Sequence, residues 1–308
     1  MCSTILNTRR WGLRLIMTFN MLLRQKRFTG SHTTYQWQRL KRDKLAMFGL
    51  FLIVGIFLMA IFGPLLSPYA YDEQDFLISN EFPSWAHPFG TDMFGRDMFV
   101  RVMYGARISL AVGLMASLIN LTIGVIYGSI SGFVGGRTDD VMMRIVDTIR
   151  SVPTMIYVIL LMVVVGPGLK SIFITLGINY WTNMARIVRA EIMRVKNEEF
   201  VLAARVIGAS PARMLLRHLI PNAMGPILVT LTFCIPQAIF AEAFLSFVGL
   251  GVSAPMASWG VLSSDAMNAL MVYPYQLFFP AMAISLTILA FNFFGDGLRD
   301  ALDPRLRK

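Results

Sequence analysis

A chain of 308 residues that is 56% hydrophobic and only 15% charged, with a mean hydropathy of +0.60, is not an ordinary soluble domain, in which about a quarter of the residues carry charge. The formal charge of +10 does not mark a nucleic-acid binder either, because Lys and Arg flank long apolar runs instead of covering a separate basic domain, the pattern of the positive-inside rule. The only cysteines, Cys2 and Cys234, stand at the extreme N-terminus and inside an apolar run, which argues against a disulfide framework and a thiol metal site.

Residues 1–44 hold many Lys and Arg residues and a single acid, Asp43, and are expected to stay in the cytoplasm. The apolar stretch 11–23 is interrupted by Arg14 and followed by Arg24-Gln25-Lys26-Arg27 rather than by small residues, so no cleaved signal is expected. Residues 1–30 read as a basic tail without fixed structure, whereas Tyr35, Trp37, Leu40 and Leu45, interleaved with bases, suit a short helix on the membrane surface. Residues 46–66 supply the roughly 20 apolar positions of a bilayer crossing and form the first expected span. Residues 67–107 then carry Asp72, Glu73, Asp75, Glu81, Asp92 and Asp97 against Arg96, Arg101 and Arg107, as an external loop would.

Positions 87–110 read H-P-F-G-T-D-M-F-G-R-D-M-F-V-R-V-M-Y-G-A-R-I-S-L. Gly90 and Gly95 permit tight turns, and Asp92, Arg96 and Asp97 can pair to hold the loop against the mouth of the spans. A metal site is not expected, since His87 is the only imidazole there and hard-cation loops supply more oxygens at tighter spacing. The run resembles the H-x-x-G-T-D-x-x-G-R-D signature, leading into G-A-R-x-S-L, of permeases of the dipeptide and oligopeptide importers, with its signature positions at Gly90, Thr91, Asp92, Gly95, Arg96 and Asp97.

Residues 108–134 form the second expected span, in which Gly124, Gly128 and Gly132 recur every four residues and let another helix approach closely, in this subunit or in a neighbour. Asn120 is a lone polar group expected to find a partner across helices. Residues 135–140 form a short cytoplasmic turn with Thr138 as expected N-cap, and a long helix follows that enters the membrane around 150–153 and leaves at 166–168. Gly168-Leu169-Lys170-Ser171 lacks the Gly-Lys-Ser/Thr ending of a phosphate loop, so it is not expected to bind nucleotide. The fourth span, 172–187, is interrupted by Gly177, Asn179 and Asn183. Its inner end is marked by Arg186, Arg189, Arg194 and Lys196, which puts 186–221 inside.

Residues 197–222 are a charged island among apolar runs. Asn197 is the expected N-cap of a helix with Glu198 and Glu199 in its first turn; Phe200, Ala203, Ala204 and Ile207 recur at helical spacing, and Gly208 suits a left-handed C-cap. Ser210 and Pro211 start a second helix, lined by Met214, Leu215 and Leu219 and expected to stop at Pro221. Ala203-Ala204, Gly208 and His218-x-Ile220-Pro221 resemble, with matching spacing, the EAA loop of ABC importer permeases, E-A-A, three residues, G, nine residues, I-x-L-P. The sequence departs from it at Leu202, His218 and Ile220.

The fifth span, 222–249, holds Pro236 and Glu242; residues 250–274 contain no Lys or Arg, as an external loop should; the sixth span is 275–294. The closing run 295–304, G-D-G-L-R-D-A-L-D-P, returns the chain to the cytoplasm before Arg305, Arg307 and Lys308, and is similar to the same subfamily, especially its C-type half. The 87–110 run and the stretch G-I-N-Y-W-T-N-M-A-R-I-V-R are nearest to oligopeptide permeases of Gram-positive type.

These three motifs identify the chain as a member of the C-type permeases of the dipeptide and oligopeptide ABC importers. The resemblance implies an all-α, polytopic membrane protein of six transmembrane helices with the type I importer permease fold: a tail and interfacial helix over 1–44 and a transmembrane domain over 45–308, with external loop 67–107 and cytoplasmic coupling loop 190–222. It implies a second, homologous permease, two ATP-binding subunits, an extracellular solute-binding protein and membrane lipid as partners, with no nucleic acid. ATP and Mg would be bound by the partners, and this chain would hold no cofactor or metal and perform no catalysis. Coupling to the ATPases would fall to Glu198, Glu199, Phe200, Val201, Ala203, Ala204, Arg205, Gly208, Ala209 and Ser210. Glu242, the one carboxylate well inside a span, is the candidate for the translocation path, the alternative being that it hydrogen-bonds a neighbouring helix or snorkels outward. Both termini would be cytoplasmic, in the plasma membrane. Relatives with the same motifs carry nickel, heme or glutathione, which stay open as substrates. An ion-coupled secondary transporter is the rival reading, though no internal repeat supports it. A membrane enzyme is disfavoured because His32, His87 and His218 fall in three different places.

Overall fold

The computed structural model describes residues 35–166, 168–252 and 255–303. The expectations for residues 1–34, including the basic tail, the 11–23 stretch, Cys2 and His32, and those for Pro304 to Lys308 lie outside the described residues. Among the described residues the secondary structure is helical apart from one isolated bridge, Thr91 to Asp97.

Helix α1 (35–42) occupies part of the stretch where a short helix was expected: Tyr35 and Trp37 are exposed, while Leu40 is buried with Ala46 and Ala301. Asp43 separates it from α2 (Lys44–Leu66), whose first turn it caps by accepting from the backbone N–H of Leu45 at 2.9 Å and Ala46 at 3.2 Å. Helix α3 (Met98–Val134) starts ten residues before the expected span, because Asp97 accepts from Val100 N–H at 2.8 Å and fixes its N-terminus there. The 98–107 part of the presumed external loop is therefore helix.

The glycine row of α3 packs against α6 (Leu169–Val195) of the same chain: a Cβ at Gly124 would lie 2.6 Å from Met184 Cβ, one at Gly132 2.7 Å from the Arg189 carbonyl, and one at Gly128 against the Ala185 carbonyl. A π-helical turn, Asn120–Gly124, interrupts α3 at the start of that row. Asn120 is buried and faces Cys234, yet its Oδ1 has no hydrogen-bond partner among the described residues.

The expected long helix after 135 is two. Helix α4 (Gly136–Ser151) begins directly after Gly135 (φ +72°), not at Thr138, because Asp139 turns inward to bind Ser131 and Arg189. Pro153, lacking an N–H, ends α4 through an extended Val152, and α5 (Thr154–Val165) leaves it at a bend of 84°. Asn179 and Asn183 of α6 are spent on this pair, the first on Thr154 and the second on Arg150 at 3.4 Å.

Helix α7 (Glu199–Val206) and helix α8 (Pro211–Leu250) follow, then α9 (Trp259–Ala266) and α10 (Tyr275–Leu302). Pro221 does not stop α8. A π-helical turn over Leu215–Leu219 precedes it, and Asn222 Nδ2 donates to the His218 carbonyl at 2.6 Å. Nor does the sixth helix end near 294: it runs on through the G-D-G-L-R-D run, whose Gly295 and Gly297 are buried against α8 and Ala46. By length and composition α2, α3, α8 and α10 can cross a membrane, and α4 with α5 can do so if the bent pair is one span. Helix α6 has the length, about 1.5 Å for each residue, but carries polar groups along it. The core lies where α3, α6 and α8 meet: Val112, Ala116, Leu176, Ala238 and Leu245 are buried in one cluster, and Val188, Ile192, Leu219 and Ile227 in another.

Candidate functional site

The 67–97 segment is tied down by its own polar residues. Gly95 (φ +68°) turns the chain with the Asp75 carbonyl where a side chain would stand. Asp92 Oδ1 accepts from the backbone N–H of Phe94 at 2.9 Å and Arg96 at 3.0 Å, while Oδ2 accepts from Arg96 Nε at 2.7 Å and from Arg101 Nη1. The second oxygen of Asp97 meets His87 Nδ1 at 2.8 Å. Thr91 Oγ1 accepts from Glu81 N–H at 2.8 Å, and the Thr91 carbonyl accepts from the Tyr275 hydroxyl at 2.9 Å and Gln276 Nε2 at 3.1 Å. His87, Thr91, Asp92, Arg96, Asp97 and Arg101 are all buried. The pairing expected among Asp92, Arg96 and Asp97 is therefore split: Arg96 belongs to Asp92 and Asp97 to His87. Arg101, outside the expected set, is the second guanidinium on Asp92.

Beside this knot, a cleft of about 290 Å³ opens between the segment, α9 and the start of α10. Asp265 lines it, its carboxylate 3.9 Å from Arg101 Nη2. Partial burial pushes the Asp265 carboxyl above its ordinary value, with Arg101 and Arg96 pulling it back and Asp92 adding to the rise.

Deeper in the bundle, Glu242 is 0% exposed. Its carboxylate accepts from Ser109 Oγ of α3 at 3.1 Å and from Ser246 Oγ, one turn on, at 2.7 Å. Ser109 Oγ in turn accepts from Trp259 N–H at 3.2 Å, and Trp259 Nε1 donates to the Val102 carbonyl at 2.9 Å, so the same hub holds α9. Glu242 is thus buried against hydroxyls, the arrangement that the hydrogen-bonding alternative describes. Glu242→Gln, which keeps an acceptor for the serines, is expected to change uptake of free and N-acetylated peptides by the same factor; a loss confined to peptides with a free amine would place the carboxylate on substrate.

At the other end of the bundle, α7 and α8 form a hairpin. The N-cap of α7 is Glu198 rather than Asn197, whose Nδ2 donates back to the Met193 carbonyl at 3.2 Å in the turn that follows α6. Val201 alone in α7 is fully buried, seated among Val188, Ile192, Met214 and Leu219. The Phe200, Ala203, Ile207 stripe faces outward with Leu202 and Val206; Ile207 is 86% and Val206 88% exposed. Gly208 (φ +88°) donates to the Arg205 carbonyl and Ala209 to the Ala204 carbonyl, both at 3.0 Å, which is a complete Schellman turn. Ser210 Oγ then accepts from Arg213 N–H at 3.3 Å, with Pro211 at N1, as expected.

Comparison with known proteins decides what carries these features. Residues 124–308 match the family model described as binding-protein-dependent transport system inner membrane component, and residues 33–83 match the N-terminal TM domain of oligopeptide transport permease C. The chain belongs to this family of importer permeases. It is 56% identical over 270 residues to the oligopeptide transport system permease protein OppC of Bacillus subtilis, covering 88% of each chain. It is 51% identical over 284 residues to the dipeptide transport system permease protein DppC of the same organism, covering 92% of this chain and 89% of that one. Among solved structures, the MetNI methionine ABC transporter in an inward-facing conformation matches with TM-score 0.57 at 19% identity over 67% of this chain and 98% of that one, a likeness of fold.

In this permease the residues singled out by the two motifs fall at opposite ends of the bundle. The G-T-D-x-x-G-R-D positions build a buried knot, and Glu198, Glu199, Phe200, Ala203, Ala204, Arg205, Gly208, Ala209 and Ser210 build a hairpin around buried Val201. Sequence reasoning missed Arg101, Ser109, Trp259, Tyr275 and Gln276. Of the hydroxyls on Glu242, only Ser246, four residues along the same helix, was within reach of a periodicity argument.

Proposed function

We propose that this chain is the C-type permease subunit of an ATP-driven peptide importer, forming with a homologous second permease the path by which oligopeptides or dipeptides cross the plasma membrane. Two ATP-binding subunits, which hold the ATP and Mg, dock on the α7–α8 hairpin, and an extracellular binding protein delivers substrate at the end bearing the 67–97 segment. The observation that carries the reading is the hairpin: a short helix anchored by one buried residue, its apolar stripe exposed, and a Schellman turn that joins it rigidly to the 40 residues of α8. A helix of that kind transmits displacement from a partner into the bundle. The peptide assignment is supported by the relatives, which are oligopeptide and dipeptide transport system permease proteins.

Charge supports the orientation. Arg137, Arg144, Arg194, Lys196, Arg205 and Arg213 cluster at the hairpin end, where a cytoplasmic face would carry them. In a background with Cys2 and Cys234 replaced, a Leu77→Cys chain in intact cells is expected to react with an impermeant thiol reagent, since Leu77 is 95% exposed, and an Ala212→Cys chain only after permeabilisation. Labelling of position 212 from outside would overturn the orientation. ATP-dependent uptake of labelled peptide by proteoliposomes holding all the subunits, absent when this chain is omitted, tests the function itself.

A further inference from the structure

At the end of the bundle that carries the knot, two segments present a surface of one sign. In the segments 67–97 and 251–274 the exposed carboxylates are Asp72, Glu73, Asp75, Glu81 and Asp265, and the one Lys or Arg, Arg96, is buried on Asp92. Phe82 packs on Tyr273 at 5.8 Å between ring centroids and joins the two segments, and Gln276 Nε2 of α10 donates to Asn80 Oδ1 at 2.8 Å beside them. Large apolar side chains stand out around the junction: Trp85, Met271 at 96% exposure, and Val272 at 63%. Anionic lipid headgroups would be repelled by such a surface, so its apolar groups fit a protein partner better than the bilayer. Within the cleft, Asp265 stands 3.9 Å from Arg101, too far for a hydrogen bond, and accepts none among the described residues. Asp265 therefore keeps its acceptor capacity.

We propose that this cleft seats a Lys or Arg side chain of the extracellular binding protein, its charge on Asp265 and its apolar neighbours on Met271, Val272 and Trp85. The proposal rests on the reading of the chain as a permease served by a binding protein. The basic side chain would enter past Asn268, also at the cleft, and displace water from Asp265 without disturbing the Asp92 knot beneath. Apolar contacts around a charged anchor exclude water and strengthen it, while the surrounding carboxylates speed encounter at low salt.

The test is the affinity of the labelled binding protein for the complete importer in nanodiscs, at low and at high salt. Asp265→Lys is expected to weaken binding by about a hundredfold at low salt, as like charges meet, and Asp265→Asn by about tenfold. Asn268→Asp adds a carboxylate at an exposed position where folding is not at stake, and is expected to tighten binding several-fold, about the gain of one added charge pair. All three effects should shrink at high salt. Tight wild-type binding with no change in Asp265→Lys and Asn268→Asp would overturn the cleft while leaving the binding-protein reading intact. Tighter binding by Asp265→Lys would assign an acidic partner surface and equally overturn it. Quenching of a fluorophore on a Met271→Cys chain by nitroxides in the lipid tails would return the patch to the membrane. Absence of wild-type binding would overturn the reading, on which the proposal stands, that a binding protein serves this permease.

Discussion

Gly208→Val is expected to lower ATP-driven uptake at least tenfold while the subunit still reaches the membrane and assembles. Gly208 holds φ +88°, and a Cβ there would meet nothing within 4 Å, so the cost is conformational and not steric crowding. A left-handed residue costs a side chain about 1–2 kcal/mol, and β-branching adds to it. Relief comes by opening the turn, which breaks the bonds from Gly208 to Arg205 and from Ala209 to Ala204. Val201 stays in its pocket, so α7 remains attached, but it no longer moves as one body with α8. The measurement is peptide uptake against membrane abundance and recovery of the assembled complex. Gly208→Asn separates this account from a mere loss of fold: Asn tolerates the left-handed region and is expected to restore most of the uptake. Equal uptake by Gly208→Val and the parent would sink the rigid-turn role.

The hairpin was largely legible in the sequence because its determinants are local. Ser210-Pro211 and Gly208 act through capping and backbone conformation within a few residues, and the structure has them where those rules place them. Pro221 misled because the rule that a proline ends a helix assumes α geometry before it, and a π-helical turn removes the clash. Phe200, Ala203 and Ile207 were found by spacing, but periodicity says only that a stripe exists; which stripe is buried depends on Val201 folding back onto α6, a contact between helices that spacing within one helix does not report.

The other end was legible in composition and not in wiring. Asp92, Arg96 and Asp97 announced ion pairing, yet no local rule says that Asp97 turns to His87 or that Arg101, a turn into α3, closes on Asp92. Helix α3 brings Arg101 and Asp92 together only once Asp97 has capped it. Glu242 looked like a site because a charge inside a span demands a reason; Ser109 supplies one from 133 residues away, held in turn by the Trp259 N–H at the start of α9.

Asp92→Ala is expected to be among the most damaging substitutions at the knot end, and through the guanidiniums it abandons rather than through the carboxylate it removes. Arg96 and Arg101 are both buried, and Asp265, 3.9 Å from Arg101, is half exposed and too distant to replace a hydrogen-bonded partner. Removing one member of a buried ion pair costs about 3–5 kcal/mol, and here the N–H groups of Phe94 and Arg96 lose their acceptor as well. That approaches the whole stability of many domains, about 5–15 kcal/mol, so steady-state abundance in the membrane and the melting temperature of the detergent-solubilised subunit should both fall. Arg101→Met should be milder, since Asp92 keeps Arg96, and Met fills part of the volume. The pair Asp92→Ala with Arg101→Met should be more stable than Asp92→Ala alone, because one of the two abandoned charges is gone. Strict additivity of the two single losses would show that Arg101 and Asp92 do not depend on one another, and the knot would then be held by its turns and by Thr91 instead.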